Sequence, residues 1–161
     1  MTGNFIYKNT NILNENNNLS NENVLVIGDY NDELDDDTDD NVFQNFIDDS
    51  DNYLFADMII ATGNPQNFSF PNWPSHIDHI LISNELFDEF NSNESDITTI
   101  QVDNYISGGF SSYDALITDH MPVGISSVQA VVWSLQKSWW EVLGRATVRT
   151  GILVGSFQQI C

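Results

Sequence analysis

The sequence predicts an α/β or α+β sandwich, and three observations predict it. Val24-Leu25-Val26-Ile27 is a continuous apolar, β-branched run ending in Gly28, and Ile77, Ile80, Leu81 and Ile82 mark a second such run. Runs of this length and type read as buried strands. Asn64-Pro65 and Pro71 to Pro74 supply turn punctuation between them. Acids, amides and imidazoles cluster at the ends of these runs, and strands with polar ends alternating with loops and short helices suit a layered mixed fold.

Asn9 to Asn23 is an asparagine-rich polar lead-in whose composition favours a loop, so residues 1–23 stand apart from the rest of the chain. After the strand at 24–27 comes an acidic loop, Asp29 to Asp40, expected to bury nothing. Val42-Phe43 and Phe46-Ile47 are spaced for one helical face. Tyr53 to Ile59 fits a helix or a strand equally. The strand around Ile77–Ile82 precedes a short helix, Asn84 to Phe90, capped by Ser83 or Asn84. Ile97 to Val102 reads as a strand, Ser107 to Ser112 as a glycine-serine loop, and Pro122 to Val128 as a last strand.

Charge divides the chain. Four basic residues face 24 acidic ones, a formal net charge of -20. Residues 1–120 hold 23 acids and one base, whereas 121–161 hold one acid and three bases. All asparagines lie at or before Asn104, and the end instead carries Trp133, Trp139 and Trp140. Residues 129–161 are therefore expected to be an appendage to a domain at 24–128. Val132, Leu135, Trp139, Val142 and Leu143 there fit an amphipathic helix.

So few lysines and arginines exclude a broad electrostatic grip on nucleic-acid phosphates, which works by displacing counterions. They also weigh against anionic membranes. Either a substrate's charge is screened locally by metal ions, or nucleic acid is not bound. Cys161 is the lone cysteine, so no disulfide forms within the chain. Met1 to Lys8 lacks the pattern of a signal peptide, and no apolar run reaches the roughly 18 residues of a membrane span.

Three segments carry chemistry. Val26-Ile27-Gly28-Asp29-Tyr30-Asn31-Asp32 sets an acid and an amide two apart at a strand end, where alternation points both to one side. Ser75-His76-Ile77-Asp78-His79-Ile80 places an acid between two imidazoles in an apolar strand. Thr118-Asp119-His120-Met121-Pro122-Val123 joins an acid and an imidazole before a proline. Taken singly, each has a bland reading as a turn, a structural acid or a satisfied histidine.

Together and in this order, they resemble the later half of the endonuclease/exonuclease/phosphatase, or DNase-I-like, superfamily. That half reads as a GD-x-N strand end, an ID-x-I/L strand and an [ST]DH-x-PV loop, matched by Gly28-Asp29-Tyr30-Asn31, Ile77-Asp78-His79-Ile80 and Thr118–Val123. Asn31-Asp32-Glu33-Leu34 and Asn84-Glu85-Leu86-Phe87 are most similar to bacterial secreted-type members. The resemblance covers about 22–128. It implies a partial four-layer α/β-β/α sandwich and metal-dependent phosphodiester hydrolysis, with nucleic acid as substrate. By resemblance Asp29 orients or deprotonates the attacking water and Asn31 holds a phosphate oxygen or a metal. Asp119 is a metal ligand, and His120 donates to the phosphoryl oxygens while Asp78 fixes its ring and raises its pKa. The implied cofactor is Mg²⁺, with Mn²⁺ or Ca²⁺ as substitutes, and the implied setting is extracellular or periplasmic.

The departures are as specific. Nothing in 1–23 matches the early asparagine, metal-binding glutamate and mid-chain histidine or tyrosine of the family's first half, so an incomplete domain is expected. A phosphatase or phospholipase of the same superfamily, or an inactive acidic fragment with at most calcium binding, are the alternatives. The acidic loop begins like an EF-hand at Asp29-Tyr30-Asn31, yet Leu34 stands where the turn glycine belongs and Asp40 where the glutamate belongs. A solvated loop is the favoured reading. His76 is a weak candidate for substrate contact. A spacing of three puts His76 and His79 on opposite strand faces, beyond the joint reach of one zinc ion.

Overall fold

The computed structural model describes residues 23–126, 131–134 and 153–155, and shows mixed short helices and mainly antiparallel strands, the α+β class. Strands β1 (Val24–Asp29), β2 (Tyr53–Phe55) and β3 (Asp78–Ser83) form one sheet with β7 (Leu153–Gly155), in the order β2-β3-β1-β7. β1 pairs antiparallel with β3 and parallel with β7. A second sheet runs β4 (Asp96–Thr99), β5 (Val123–Ser126), β6 (Val131–Ser134), all antiparallel.

The register of β1 on β3 explains both the core and the site. Leu25 opposes Ile82, Ile27 opposes Ile80, and Asp29 opposes Asp78. Because side chains alternate, these three pairs share one face. The four aliphatic members join Val123 and Ile125 of β5 in a single buried cluster with Ala56 and Ile60. The two acids sit at the end of that apolar face. Val26 with Leu81 and Gly28 with His79 occupy the other face. There Leu81 and Phe55 pack against Phe43, Phe46, Ala61 and Leu34. β3 is buried at all six positions, as a strand covered on both faces requires.

Helices α1 (Gln44–Ile47) and α2 (Met58–Ala61) are single turns, and α3 (Phe87–Phe90) continues a 3₁₀ turn at Asn84–Leu86. Helix α4 spans Gly109–Leu116. Among the described residues no helix is long and apolar enough to cross a membrane.

Several expectations need correction. The acidic loop does bury a residue, since Leu34 is 2 % exposed and anchors the loop to the second core cluster. The ambiguous stretch at 53–59 resolves as both elements, β2 and the start of α2. Ser107 to Ser112 is not simply a loop: α4 begins inside it, with Phe110 packing on the buried Tyr113. Gly108 permits that start, because its φ of 95° is left-handed and a Cβ there would collide with Ser112. Ser83 does not cap the following turn by its side chain; its hydroxyl accepts the Val24 N–H at 3.1 Å instead. Val131–Ser134, expected as part of a helix, is a strand on β5, and Leu153–Gly155 pairs with β1. Both sheets thus include short segments of the 129–161 region. The rest of the expected helix, and the lead-in before residue 23, lie outside the described residues.

One buried group offers a stability test. The Tyr30 hydroxyl is buried without a hydrogen-bond partner among the described residues, while its ring packs on Phe43 and His79. Tyr30→Phe keeps the ring and removes the unsatisfied group. It is expected to stabilise the fold by about 1 kcal/mol, read as a higher urea midpoint with an unchanged slope.

Candidate active site

Asp29, Asp78 and His120 meet at the end of the β1–β3 pair. Strand pairing sets Asp29 across from Asp78, and His120 Nδ1 lies 2.7 Å from Asp78 Oδ2. One oxygen or nitrogen from each of the three lies within 4.8 Å of the others. The three chemistry-bearing segments of the sequence therefore each contribute one residue to a single cluster.

His120 is held from several sides. Its backbone N–H donates to Thr118 Oγ1 at 3.2 Å, and its carbonyl accepts from the Tyr113 hydroxyl at 2.8 Å. Its ring lies against Phe70, with centroids 4.9 Å apart. The next residue, Met121, donates its N–H to the Ser69 carbonyl at 2.6 Å. Ser69 Oγ in turn accepts the N–H groups of Ile77 and Asp78 at 3.2 Å each. One buried serine thus fixes both the entry to β3 and the loop that carries His120.

The electrostatics result from this geometry. Burial would push the His120 pKa down, but its bond to Asp78 and the charges of Asp78, Asp29 and Asp119 raise it above the ordinary 6.5. Asp29 is raised above 3.8 by burial first and by Asp78 second, against the lowering influence of His120 and the Asn31 N–H. The site therefore favours a charged imidazolium beside a carboxyl that takes up protons more readily than usual.

Asn31 is not placed by strand alternation. β1 ends at Asp29, and Asn31 has a φ of 53°, the left-handed region that asparagine tolerates better than most residues. Its N–H donates to Asp29 Oδ1 at 2.9 Å, so a turn rather than a strand ties the amide residue to the acid. Asp119 is half-buried and within 3.5 Å of Thr118 Oγ1.

His76 and His79 form a different cluster, on the opposite side of β3. His79 Nδ1 and His76 Nε2 lie 2.7 and 3.0 Å from the same oxygen, Asp57 Oδ2. Asp57 Oδ1 accepts the Ile80 N–H at 2.8 Å. The expectation of opposite faces fails because β3 begins at Asp78: His76 precedes the strand, where alternation does not hold. Its Nδ1 accepts the Ser69 N–H at 3.3 Å, so the ring proton sits on Nε2 and goes to Asp57. Both nitrogens are engaged and the residue is buried, which leaves His76 no ring nitrogen to offer a substrate.

His79 differs. Its Nε2 faces the Asp32 carbonyl at 2.9 Å, which can only accept, and its Nδ1 faces a carboxylate, so both nitrogens carry protons. Burial opposes that charge, yet Asp57 and the Asp32 carbonyl hold the His79 pKa above 6.5. Asp57 is buried as well, but the two histidines keep its carboxyl well below the ordinary 3.8. The three ligand atoms are close enough for one metal ion. The hydrogen bonding argues for a buried ion pair instead, because a metal on His76 Nε2 would move the ring proton to Nδ1, against the Ser69 N–H.

The sequence reading missed Asp57, Ser69, Phe70 and Tyr113. Only Asp57 carried a signal, as a lone acid within the apolar run Leu54–Ile60, since such a residue must find a partner when buried. Compared with family models, curated proteins and solved structures, the chain matches none of them.

Proposed function

We propose that this chain hydrolyses phosphodiester bonds with the help of a divalent metal ion, acting on nucleic acid, and that residues 24–128 are the later half of a DNase-I-like domain. The convergence of Asp29, Asp78 and His120 carries the reading, because three motifs far apart in sequence together supply one acid and one acid–imidazole pair. Attack on a phosphodiester builds negative charge where charge already stands, so the site must supply protons and positive charge there.

In this reading Asp29 orients the attacking water and accepts its proton as the new P–O bond forms. Its raised affinity for protons makes it a better base than an ordinary aspartate. His120 directs Nε2 toward the phosphoryl oxygens while Nδ1 stays on Asp78, and donates as the leaving oxygen departs. Asp78 fixes that orientation at 2.7 Å. A hard cation suits the charge of the site: Asp29 and Asp78 are like charges on neighbouring strands, with oxygens close enough for one ion together with His120, and positive charge offsets their repulsion. Asp119 and Asn31 would hold Mg²⁺, or Mn²⁺ or Ca²⁺ in its place, through oxygen donors. When bound, the ion supplies charge neutralisation of the phosphate.

The test is cleavage of a supercoiled plasmid by the full chain, with Mg²⁺ and with a chelator, beside an Asp119→Ala/His120→Ala double variant. The expected result is nicking that needs the metal and disappears in the variant. Nicking that persists in the variant would assign the activity to something else. A folded chain that leaves the plasmid intact but hydrolyses a small phosphate ester would favour the phosphatase alternative, for which the 24 acids against four bases argue.

A further inference from the structure

Between residues 23 and 126 the chain contains no lysine and no arginine. Whatever part of a nucleic-acid substrate this region holds beyond the reacting phosphate, it cannot hold by basic side chains. Asparagine, serine and backbone N–H groups can still touch phosphates. A sequence-tolerant grip on the bases themselves comes from stacking on aromatic rings, a contact between ring faces that needs no basic side chain. One residue is placed for it. Phe70 and Ser75 form an isolated antiparallel bridge, with reciprocal backbone bonds of 3.0 and 3.3 Å. They close a tight turn, Pro71-Asn72-Trp73-Pro74, whose Trp73 is 77 % exposed.

The turn is fixed at several points. Phe70 lies on the His120 ring, Asn72 Nδ2 approaches Asp114 Oδ2 of α4 at 3.5 Å, and the Ser75 hydroxyl donates to Glu33. Two prolines flank Trp73 closely, which limits its backbone freedom. Ile59, Tyr105 and Leu116 are exposed too, and single exposed apolar residues need no explanation. Trp73 differs in lying three residues from Phe70, whose ring packs on His120, so the Cα atoms of Phe70 and Trp73 are at most about 10 Å apart. The backbone of the turn is already held in place, so stacking would have to fix only the rotation of the indole itself.

We propose that Trp73 stacks on an unpaired base next to the phosphate handled by His120, which makes single-stranded nucleic acid the preferred substrate. In a duplex both faces of each base are already covered by neighbours, so the contact is lost there. The inference rests on the proposed phosphodiesterase reading. Its test therefore combines cleavage with binding.

Rates would be measured for wild type, Trp73→Ala and Trp73→Phe on a single-stranded oligonucleotide and on the same strand with abasic linkers around the cleaved position. Binding of both strands would be followed by fluorescence anisotropy. Trp73→Ala is expected to lower kcat/KM and affinity about tenfold on the base-bearing strand only, with Trp73→Phe retaining most of both. Equal effects on the two strands, or no effect, would overturn the stacking role. If wild type nicks the plasmid but cleaves neither strand, the single-strand preference falls and the phosphodiesterase reading stands; if it cleaves none of the three, that reading falls. A binding loss confined to the base-bearing strand would then still support stacking, and its absence would end both.

Discussion

Asp57→Ala is expected to destabilise the domain by about 3–5 kcal/mol, the cost typical of removing one partner from a buried ion pair. A domain of this size has only about 5–15 kcal/mol in hand. The variant would leave the His76 Nε2–H, the His79 Nδ1–H and the Ile80 N–H facing a cavity, all three having bonded to the lost carboxylate. Asp57→Asn should cost less. Its oxygen can still accept from Ile80, and its amide can donate to a His79 that has given up its Nδ1 proton. The conflict that remains is at His76, whose Nε2–H would face the amide N–H. Urea unfolding followed by circular dichroism gives the order wild type, Asn, Ala. Equal midpoints for all three would refute the buried pair.

The same pair has a pH signature. Asp57 is lowered in the fold, so its contribution is present above the ordinary value of 3.8 and is lost as pH falls below it. His79 is raised, so its contribution is complete below 6.5 and is lost as pH rises through its folded value. The stability difference between wild type and Asp57→Asn should therefore be greatest between about pH 4 and 6.5 and shrink on both sides. Taking the difference matters, because the many other acids titrate in both proteins alike.

Much of this arrangement was legible in the sequence, for identifiable reasons. β1 and β3 were visible because each carries a continuous apolar stretch, Val24–Ile27 and Ile80–Ile82, of the kind that strands buried on both faces favour. Asp29, Asp78 and His120 were visible only together, because three polar segments set beside apolar runs resemble one family's motif order, whereas each alone reads as a turn, a structural acid or a satisfied histidine. What stayed hidden depends on partners distant in sequence. Asp57 gains its meaning from His79, 22 residues away, and Ser69 from Asp78 and Met121. Leu34 was lost among aspartates, although one leucine suffices to pin a polar loop. Helix α4 was hidden because its first turn is written in glycine and serine, and its apolar face is only Phe110 and Tyr113. The histidine pair shows a rule used beyond its range. Alternation governs residues inside a strand, and His76 lies two residues before β3 starts.

Asp78→Asn is the change that separates the orientation of His120 from its charge. The asparagine oxygen can still accept the Nδ1–H, so the ring keeps its place, while the negative charge that favours imidazolium is gone. The His120 pKa should fall, since burial then acts with less opposition. Asp29 should fall as well, because the carboxylate across the strand pair is one of the two causes that raise it. If Asp29 acts ionised and His120 acts protonated, the pH–rate profile is bell-shaped and both limbs move to lower pH in the variant. At neutral pH turnover should drop about a hundredfold or more, as fewer molecules carry a charged His120. An NMR titration of the His120 ring reads the same change without any substrate. A His120 pKa identical in wild type and Asp78→Asn would show that the 2.7 Å contact does not set the charge of the imidazole, and the acid role given to His120 would lose its physical basis.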